Sequence, residues 1–328
     1  VAADVPAARS AWSAAPLVVL GSDLAARTAE ARLARRPGVV LVGLDLDDGG
    51  IWGTAVRVGA ETVVFLPGAE SLLVDRLGAT VDGIGDPAST VAVIGGRGGA
   101  GASTLATALA LTAALDGLRT MLVDGDPLGG GIDLVLGGED SRGLRWPDLA
   151  AAGGRVSGTA LRESLPHAPD ARHLTVLSCD RGDGAAVPAA AMSSVLSAGQ
   201  RSSDLVVVDL PRRVDAAAEV ALTGSQVVFL VVPAEVRAAA AAARVAAQVG
   251  LLAADVRVVV RGPAPSGLTG PLVADALALP LAGWLKAEPD LGAALERGDP
   301  PARTGRGPLA ELCRALLSDL PAAHRSAA

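Results

Sequence analysis

Tyrosine is absent from this 328-residue sequence, and aromatic residues together make up only 2% of it. Lysine occurs once, at Lys286, so the positive charge of the chain comes almost entirely from arginine. Because 50% of the residues are hydrophobic, the chain can bury sizeable cores, but those cores must be built from Ala, Val and Leu. The net charge of −7 argues against a general nucleic-acid binder, which usually carries a basic face.

Cysteine and histidine are too scarce to form a disulfide framework or a zinc site. The cysteines, Cys179 and Cys313, lie far apart in the sequence, and the three histidines show no metal-ligand spacing. The longest strongly apolar run, residues 227–232, is far shorter than the roughly 18 residues that span a bilayer, and no signal peptide is apparent. We therefore expect a soluble, cytoplasmic chain whose membrane contact is at most peripheral, at the inner face.

The rest of the sequence is organised around residues 91–126. Four apolar residues predict a buried strand at 91–94, a glycine-rich loop follows, and an apolar helix is predicted at 103–115. A second strand, at 120–123, ends in Asp-Gly-Asp. Strand, glycine loop and helix in this order predict a phosphate cradle, because glycines let backbone N–H groups turn inward and the helix dipole faces the anion.

The loop resembles the deviant Walker A motif of the MinD/ParA superfamily of P-loop ATPases. This resemblance implies that ATP or ADP binds with Mg²⁺, and that Ser103 is a magnesium ligand. The implied nucleotide-binding residues are Gly98, Gly99, Ala100, Gly101, Ala102, Ser103 and Thr104. The family's two lysines fall at Arg97 and Ala102, so both are replaced here.

The loss of the phosphate lysine predicts weak binding without efficient hydrolysis. An ammonium about 4 Å from a phosphate charge contributes on the order of 4 kcal/mol at an effective dielectric constant of ~20, which is roughly a thousandfold in affinity. The backbone cradle, the helix dipole and Ser103 remain. Arg97 could still reach phosphate across a dimer, as an arginine finger does. The alternative is a glycine turn that only the fold requires.

Acidic residues at predicted strand ends are the other site candidates. Asp209 ends the apolar run 205–208 and resembles a Walker B carboxylate, which implies a magnesium role beside Ser103. Asp126 matches an aspartate that helps to position the attacking water in the family, so Asp126 and Arg97 are the catalytic candidates. The alternative for Asp126 is an aspartate that caps a turn. Arg261 stands where the family often places an asparagine that reads adenine.

The first part of the chain predicts a smaller parallel sheet. Strands are expected at 17–20, 39–46 and 62–66, with helices at 6–12, 24–35, 50–59 and 69–77. Residues 1–83 resemble the later part of a CheY-like receiver domain, and we expect its leading β-α-β segment to be missing. No lysine precedes Leu66-Pro67, and Asp23 is displaced from the place of a phosphate acceptor. We therefore interpret this unit as a pseudo-receiver that docks other proteins.

The predicted architecture is α/β throughout, in two domains. A linker at 84–89 joins the truncated receiver-like parallel sheet to a P-loop NTPase-type domain at 90–328, which has a parallel sheet with helices on both faces. The chain is expected to finish with an amphipathic helix at 308–320. Its polar face mixes Glu311, Arg314 and Asp319, which favours packing on the domain over membrane binding.

This order of domains resembles pilus-assembly localisation proteins of the CpaE/TadZ type, and the altered loop resembles an actinobacterial branch described as septum site-determining proteins. The resemblance implies a spatial regulator that acts through protein partners of the division, pilus or secretion machinery. One hypothesis is a nucleotide-responsive factor that forms a homodimer around ATP and has little or no hydrolytic activity. The others are a nucleotide-independent pseudo-ATPase scaffold and, less favoured by the acidic charge, a DNA-partitioning ATPase.

Overall fold

The computed structural model describes residues 5–31, 33–81, 88–152, 156–182, 186–265, 267–288 and 290–320. The chain divides into two compact units, Val1–Gly85 and Asp86–Ala328. No helix in these described segments is long and apolar enough to cross a membrane.

The first unit contains a three-stranded parallel sheet in the order β1-β2-β3. Its strands are β1 (Val18–Gly21), β2 (Val39–Gly43) and β3 (Thr62–Phe65), and its helices are α1 (Val5–Trp12), α2 (Ser22–Glu30), α3 (Gly50–Val58) and α4 (Glu70–Val81). Alternate residues of β2 enter separate cores. Leu41 packs with α2 and α3, whereas Val40 and Val42 pack with Val64 on the opposite side. The central strand is therefore covered on both faces, as in a parallel α/β sheet.

The second unit is built on an eight-stranded sheet in the order β11-β10-β9-β4-β8-β5-β7-β6. All its neighbouring strands are parallel except β6, which is antiparallel to β7. The strands are β4 (Ser89–Gly95), β5 (Thr120–Asp124), β6 (His167–Ala168), β7 (Ala171–Leu177), β8 (Leu205–Leu210), β9 (Val227–Pro233), β10 (Val256–Arg261) and β11 (Leu281–Leu285).

Helices cover both faces of this sheet. They are α5 (Ala102–Leu115), α6 (Ile132–Val135), α7 (Trp146–Ala152), α8 (Gly158–Ser164), α9 (Ala189–Ser202), α10 (Ala216–Thr223), α11 (Val236–Val249), α12 (Gly270–Leu277), α13 (Leu291–Glu296) and α14 (Pro308–Ser318). One core joins alternate sheet residues to α9, α10, α11 and α12, and the other joins the remaining sheet residues to α5 and α14. The predicted α/β fold class is confirmed for both units.

Several predicted elements differ from the observed ones at their ends. The strand expected at 39–46 ends at Gly43, because the Asp45 carboxylate accepts the Asp47 backbone N–H in a turn. The helix expected at 24–35 ends at Glu30. Ser89, which the linker prediction includes, is the first residue of β4 and pairs with Leu205. Ala88, also inside the predicted linker, is buried in a core of the second unit, and residues 84–87 lie outside the described residues.

Candidate functional site

The glycine-rich loop between β4 and α5 is a tight turn at the carboxyl end of the sheet. Gly101, the residue before α5, has a φ of +97°, a backbone conformation that favours glycine. A Cβ atom on Gly96 would lie 2.6 Å from the Cβ of Ala242, so α11 packs directly on the loop. Gly98 and Gly99 are exposed, with nothing within 4 Å of an added Cβ. The loop therefore packs closely against α11 at Gly96 and is open to solvent at Gly98 and Gly99.

Asp209 and Ser103 meet beside this loop. Asp209 lies in β8 next to the glycine strand β4, and the Ser103 hydroxyl in the first turn of α5 donates a hydrogen bond to its carboxylate. Asp209 is only 3% exposed, and its Oδ1 has no hydrogen-bond partner among the described residues. Burial raises the pKa of Asp209 to about 7, and the charges of Asp124 and Asp126 raise it further against the opposing Ser103 hydrogen bond.

Asp124 is the second buried acid at this edge. Its Cα pairs in register with that of Asp209 across β5 and β8. The two oxygens of its carboxylate accept the backbone N–H groups of Asp126 and Ile132, both at 3.1 Å. Burial raises the pKa of Asp124 to about 6, although these backbone hydrogen bonds oppose the rise. Asp124 therefore fixes the turn that carries Asp126, a role that the sequence interpretation assigned to no residue.

Arg97 forms an ion pair within its own chain. Its Nη2 donates to Glu235 Oε1 at 2.8 Å, and Glu235 immediately precedes α11. The Nε of Arg97 is buried and has no partner among the described residues. Both side chains of the pair are partly exposed. Arg97 is thus anchored beside the loop, on the side where α11 begins.

Arg261 approaches the loop from the end of β10. Its Nη1 is 3.1 Å from the position that a Cβ on Gly101 would occupy. The pKa of Arg261 is lowered, first by burial and then by the positive charge of Arg97, while Glu235 opposes this shift. Two arginines and one glutamate therefore lie around the loop that lacks both family lysines.

The structure brings most of the predicted site residues together. Asp126 influences the pKa of both Asp124 and Asp209, so these acids form one cluster next to Ser103. Ala100 is buried, and Ala102 is partly buried and packs against the core that contains α5. Thr104 is half-buried in the first turn of α5, with no side-chain contact that bears on a ligand. The described residues contain no cluster of three or more His, Cys, Asp or Glu side chains that could hold a metal ion by themselves.

Sequence reasoning missed Asp124 and Glu235, and it singled out Arg261 only as the residue at the adenine-reading position of the family, not as a neighbour of the glycine loop. Asp124 ends a buried strand, which is the same signal that pointed to Asp209. Glu235 follows the apolar strand β9, and Arg261 is the last residue of β10. No local sequence pattern connects either residue with the glycine loop.

This sheet, with its glycine loop after β4 and its acids at the ends of β5 and β8, defines the P-loop fold of the MinD/ParA ATPases. A chain of the MinC:MinD cell division protein complex of Aquifex aeolicus superposes with a TM-score of 0.61 at 21% identity, covering 72% of this chain and 98% of that chain. The ParA family ATPase of Chlorobium tepidum gives 0.61 at 15% identity, with 71% and 98% covered. The septum site-determining protein MinD of Pyrococcus horikoshii, solved with Mg-ADP, gives 0.60 at 17%, with 70% and 94% covered.

A relative in Mycobacterium tuberculosis covers both units. The protein Rv3660c of strain H37Rv is 43% identical over 322 residues, which span 97% of this chain and 89% of that protein. Residues 1–87 match the family model described as the Rv3660c-like, CheY-like N-terminal domain. The chain therefore belongs to the Rv3660c family, and its second unit has the fold of the MinD/ParA ATPases.

Proposed function

We propose that the protein is a MinD/ParA-type spatial regulator that binds ATP or ADP with Mg²⁺ weakly and hydrolyses it slowly or not at all. Its process is septum site selection, as in the septum site-determining proteins that its altered loop resembles, or the assembly of a pilus or secretion system, as in the CpaE/TadZ-type proteins that its domain order resembles. The observation that carries the nucleotide part is the Ser103–Asp209 pair beside a curled glycine loop.

The residues at the loop fit a magnesium nucleotide. Asp209 has a buried oxygen without a partner, and the hydroxyl bonded to its carboxylate belongs to the exposed residue Ser103. Hydroxyl and carboxylate oxygens are ligands that Mg²⁺ prefers, and Mg²⁺ usually keeps several waters as well. When bound, the ion would neutralise phosphate charge. The N–H groups of residues 98–104 would hold the phosphates at the start of α5.

Slow turnover follows from the side chains around the loop. Ala102 provides no cation, and Arg97 is paired with Glu235. Arg97 would have to leave this ion pair before it could reach a nucleotide held by a second subunit. Asp126 would orient a water molecule, with less positive charge nearby than an efficient ATPase requires.

Protein partners are part of the proposal. The first unit exposes large apolar side chains in and near α3, namely Leu44, Leu46, Trp52 and Val56. Such a group supports a surface for docking another protein. We propose that partners of the division, pilus or secretion machinery bind this unit, and that the P-loop unit forms a nucleotide-dependent homodimer.

A pseudo-ATPase scaffold is the second candidate function. Ala102 and the Arg97–Glu235 ion pair favour it, because they remove or occupy both cations that the family uses. A nucleotide titration separates the two candidates.

The test is titration of a fluorescent ATP analogue with Mg²⁺ against the full chain. We expect a Kd below about 1 mM for the wild type, at least tenfold weaker binding for Gly101→Val, and a tighter complex for Ala102→Lys. Gly117→Val is the matched control, because Gly117 also has a positive φ (+93°) but lies beyond the opposite end of α5. A wild-type Kd above about 1 mM would leave the scaffold as the function.

A further inference from the structure

One arginine beside the glycine loop has no direct ion-pair partner among the described residues. Arg97 is paired with Glu235, at 2.8 Å. Arg261 lies against Gly101, and within the described part of the chain its guanidinium donates no hydrogen bond and has no ion pair. One positive charge therefore remains unpartnered next to the loop.

The guanidinium of Arg261 is partly buried and has lost part of its hydration, so an anion could bind it favourably. Arginine carries five N–H donors, and a partly buried cation loses hydration that only hydrogen bonds or an anion can replace. The nearby Arg97 adds a repulsive charge, as the lowered pKa of Arg261 reflects. On the other side of the loop, Asp209 keeps a buried oxygen without a partner. An anion accompanied by a divalent cation would satisfy both groups.

We propose that Arg261, at the end of β10, binds the phosphate groups of the nucleotide. Its guanidinium would take the place of the family's phosphate lysine, which is replaced by Ala102 in this chain. The inference rests on the proposed nucleotide binding and deepens it by naming the group that holds the phosphates. Ala102 follows Gly101 in the chain, so the Arg261 guanidinium beside Gly101 lies close to the backbone position from which a lysine at 102 would extend.

The chemistry of the guanidinium favours phosphate over the base. Its planar donors match two phosphate oxygens at once, which gives strong charge-assisted hydrogen bonds. An adenine base offers no negative charge to such a group.

The first measurement compares wild type, Arg261→Ala, Arg261→Lys and Arg244→Ala. Two probes are used with Mg²⁺: a fluorescent ADP analogue, and pyrophosphate as its competitor. We expect Arg261→Ala to weaken both ligands by about ten- to a hundredfold, since a charge-assisted contact is lost. Arg261→Lys should retain part of the affinity because it retains the charge. Arg244 is exposed on α11, so its removal lowers the net charge equally and should leave both affinities unchanged.

The second measurement places the missing lysine back into the loop. In the Arg261→Ala background, Ala102→Lys should restore ADP and pyrophosphate binding to at least the wild-type level. Circular dichroism and thermal unfolding check that each variant is folded. If Arg261→Ala proves unfolded, Arg261→Lys is compared with Arg244→Ala instead. An unchanged Kd for Arg261→Lys then supports the proposal only if Arg261→Gln weakens the binding of both ligands. Unchanged binding by Arg261→Gln overturns the proposal.

The outcomes separate this inference from the proposed function. If the wild type binds neither probe, nucleotide binding itself is wrong. If the wild type binds but Arg261→Ala is unchanged, only the role of Arg261 is overturned. Tighter binding by Arg261→Ala would show that the arginine blocks the pocket. Weaker binding of ADP with unchanged binding of pyrophosphate would show that Arg261 contacts the nucleoside. Each of these last two results would overturn the phosphate role of Arg261.

Discussion

The side chain of Asp209 is a carboxylic acid that is almost completely buried. One part of its carboxylate accepts the Ser103 hydroxyl hydrogen bond, and Oδ1 has no partner within the described chain. Ionisation is unfavourable there until a cation arrives, because burial penalises the charged form. The residue is therefore suited to change its charge state when a metal ion binds.

The stability of the metal-free protein should reflect this residue. The pKa of Asp209 is raised from 3.8 to about 7, so between these pH values the folded protein holds a proton that the unfolded chain has lost. The free energy of unfolding should therefore fall as pH rises from about 4 to about 7. Asp209→Asn keeps an oxygen for Ser103 but cannot ionise, so its stability relative to wild type should rise by about 1–3 kcal/mol between pH 5 and pH 8.

Urea unfolding at pH 5 and pH 8 in the presence of EDTA measures this difference. Asp124 remains in both proteins, so its own titration does not distinguish them. Identical pH dependence in wild type and Asp209→Asn would show that the Asp209 carboxyl is not the group that titrates.

The candidate site was predictable from sequence only where its residues are close together or end a strand. The loop 97–104 and the acids Asp126 and Asp209 follow from glycine spacing and from apolar runs that end in Asp. Arg261 and Glu235 could not be assigned, because their proximity to the loop depends on strand order. In the sheet, β9 separates β10 from β4, and no local pattern encodes that arrangement.

At the scale of elements, long helices and buried strands were predictable, and some of the short helices were not. The helix expected at 308–320 is α14, which ends at Ser318; its apolar face packs on the domain, as predicted, in the core that contains α5. Helices α6, α10 and α12 were missed. Helix α10 carries a usable signal, since the Asp215 side chain caps it by accepting the Ala218 N–H. Helix α12 begins with Gly-Pro, a pair that usually indicates a turn.

The packing of α14 gives a prediction for Leu316. This side chain is 2% exposed and lies in the same core as α5. Leu316→Ala should lower the free energy of unfolding by about 2–4 kcal/mol, because it removes buried methyl groups and leaves a cavity. Leu251→Ala is the matched control, since Leu251 is 86% exposed and its truncation should change stability by less than about 0.5 kcal/mol. Chemical unfolding followed by circular dichroism compares them, and equal losses would contradict the assigned packing.

At the scale of the whole molecule, a net acidic charge is combined with several arginines that are ion-paired within the chain. The net charge is −7. Arg119 pairs with Asp204, Arg257 with Asp255 and Asp319, and Arg303 with Asp170 and Asp299. These pairs contribute little individually to stability when they are exposed, but they reduce the number of cations that are free to meet another polyanion.

This charge balance predicts that the protein does not bind DNA non-specifically. Such binding requires basic side chains that neutralise phosphates and release counterions, so affinity falls steeply with salt. We expect no binding to a 30-base-pair duplex tighter than about 0.1 mM at physiological salt, with or without ATP and Mg²⁺. Fluorescence anisotropy at about 50 and 200 mM salt measures it, with a basic DNA-binding domain as the positive control. A nucleotide-dependent, salt-sensitive complex would instead favour a DNA-partitioning ATPase over a regulator that acts through proteins.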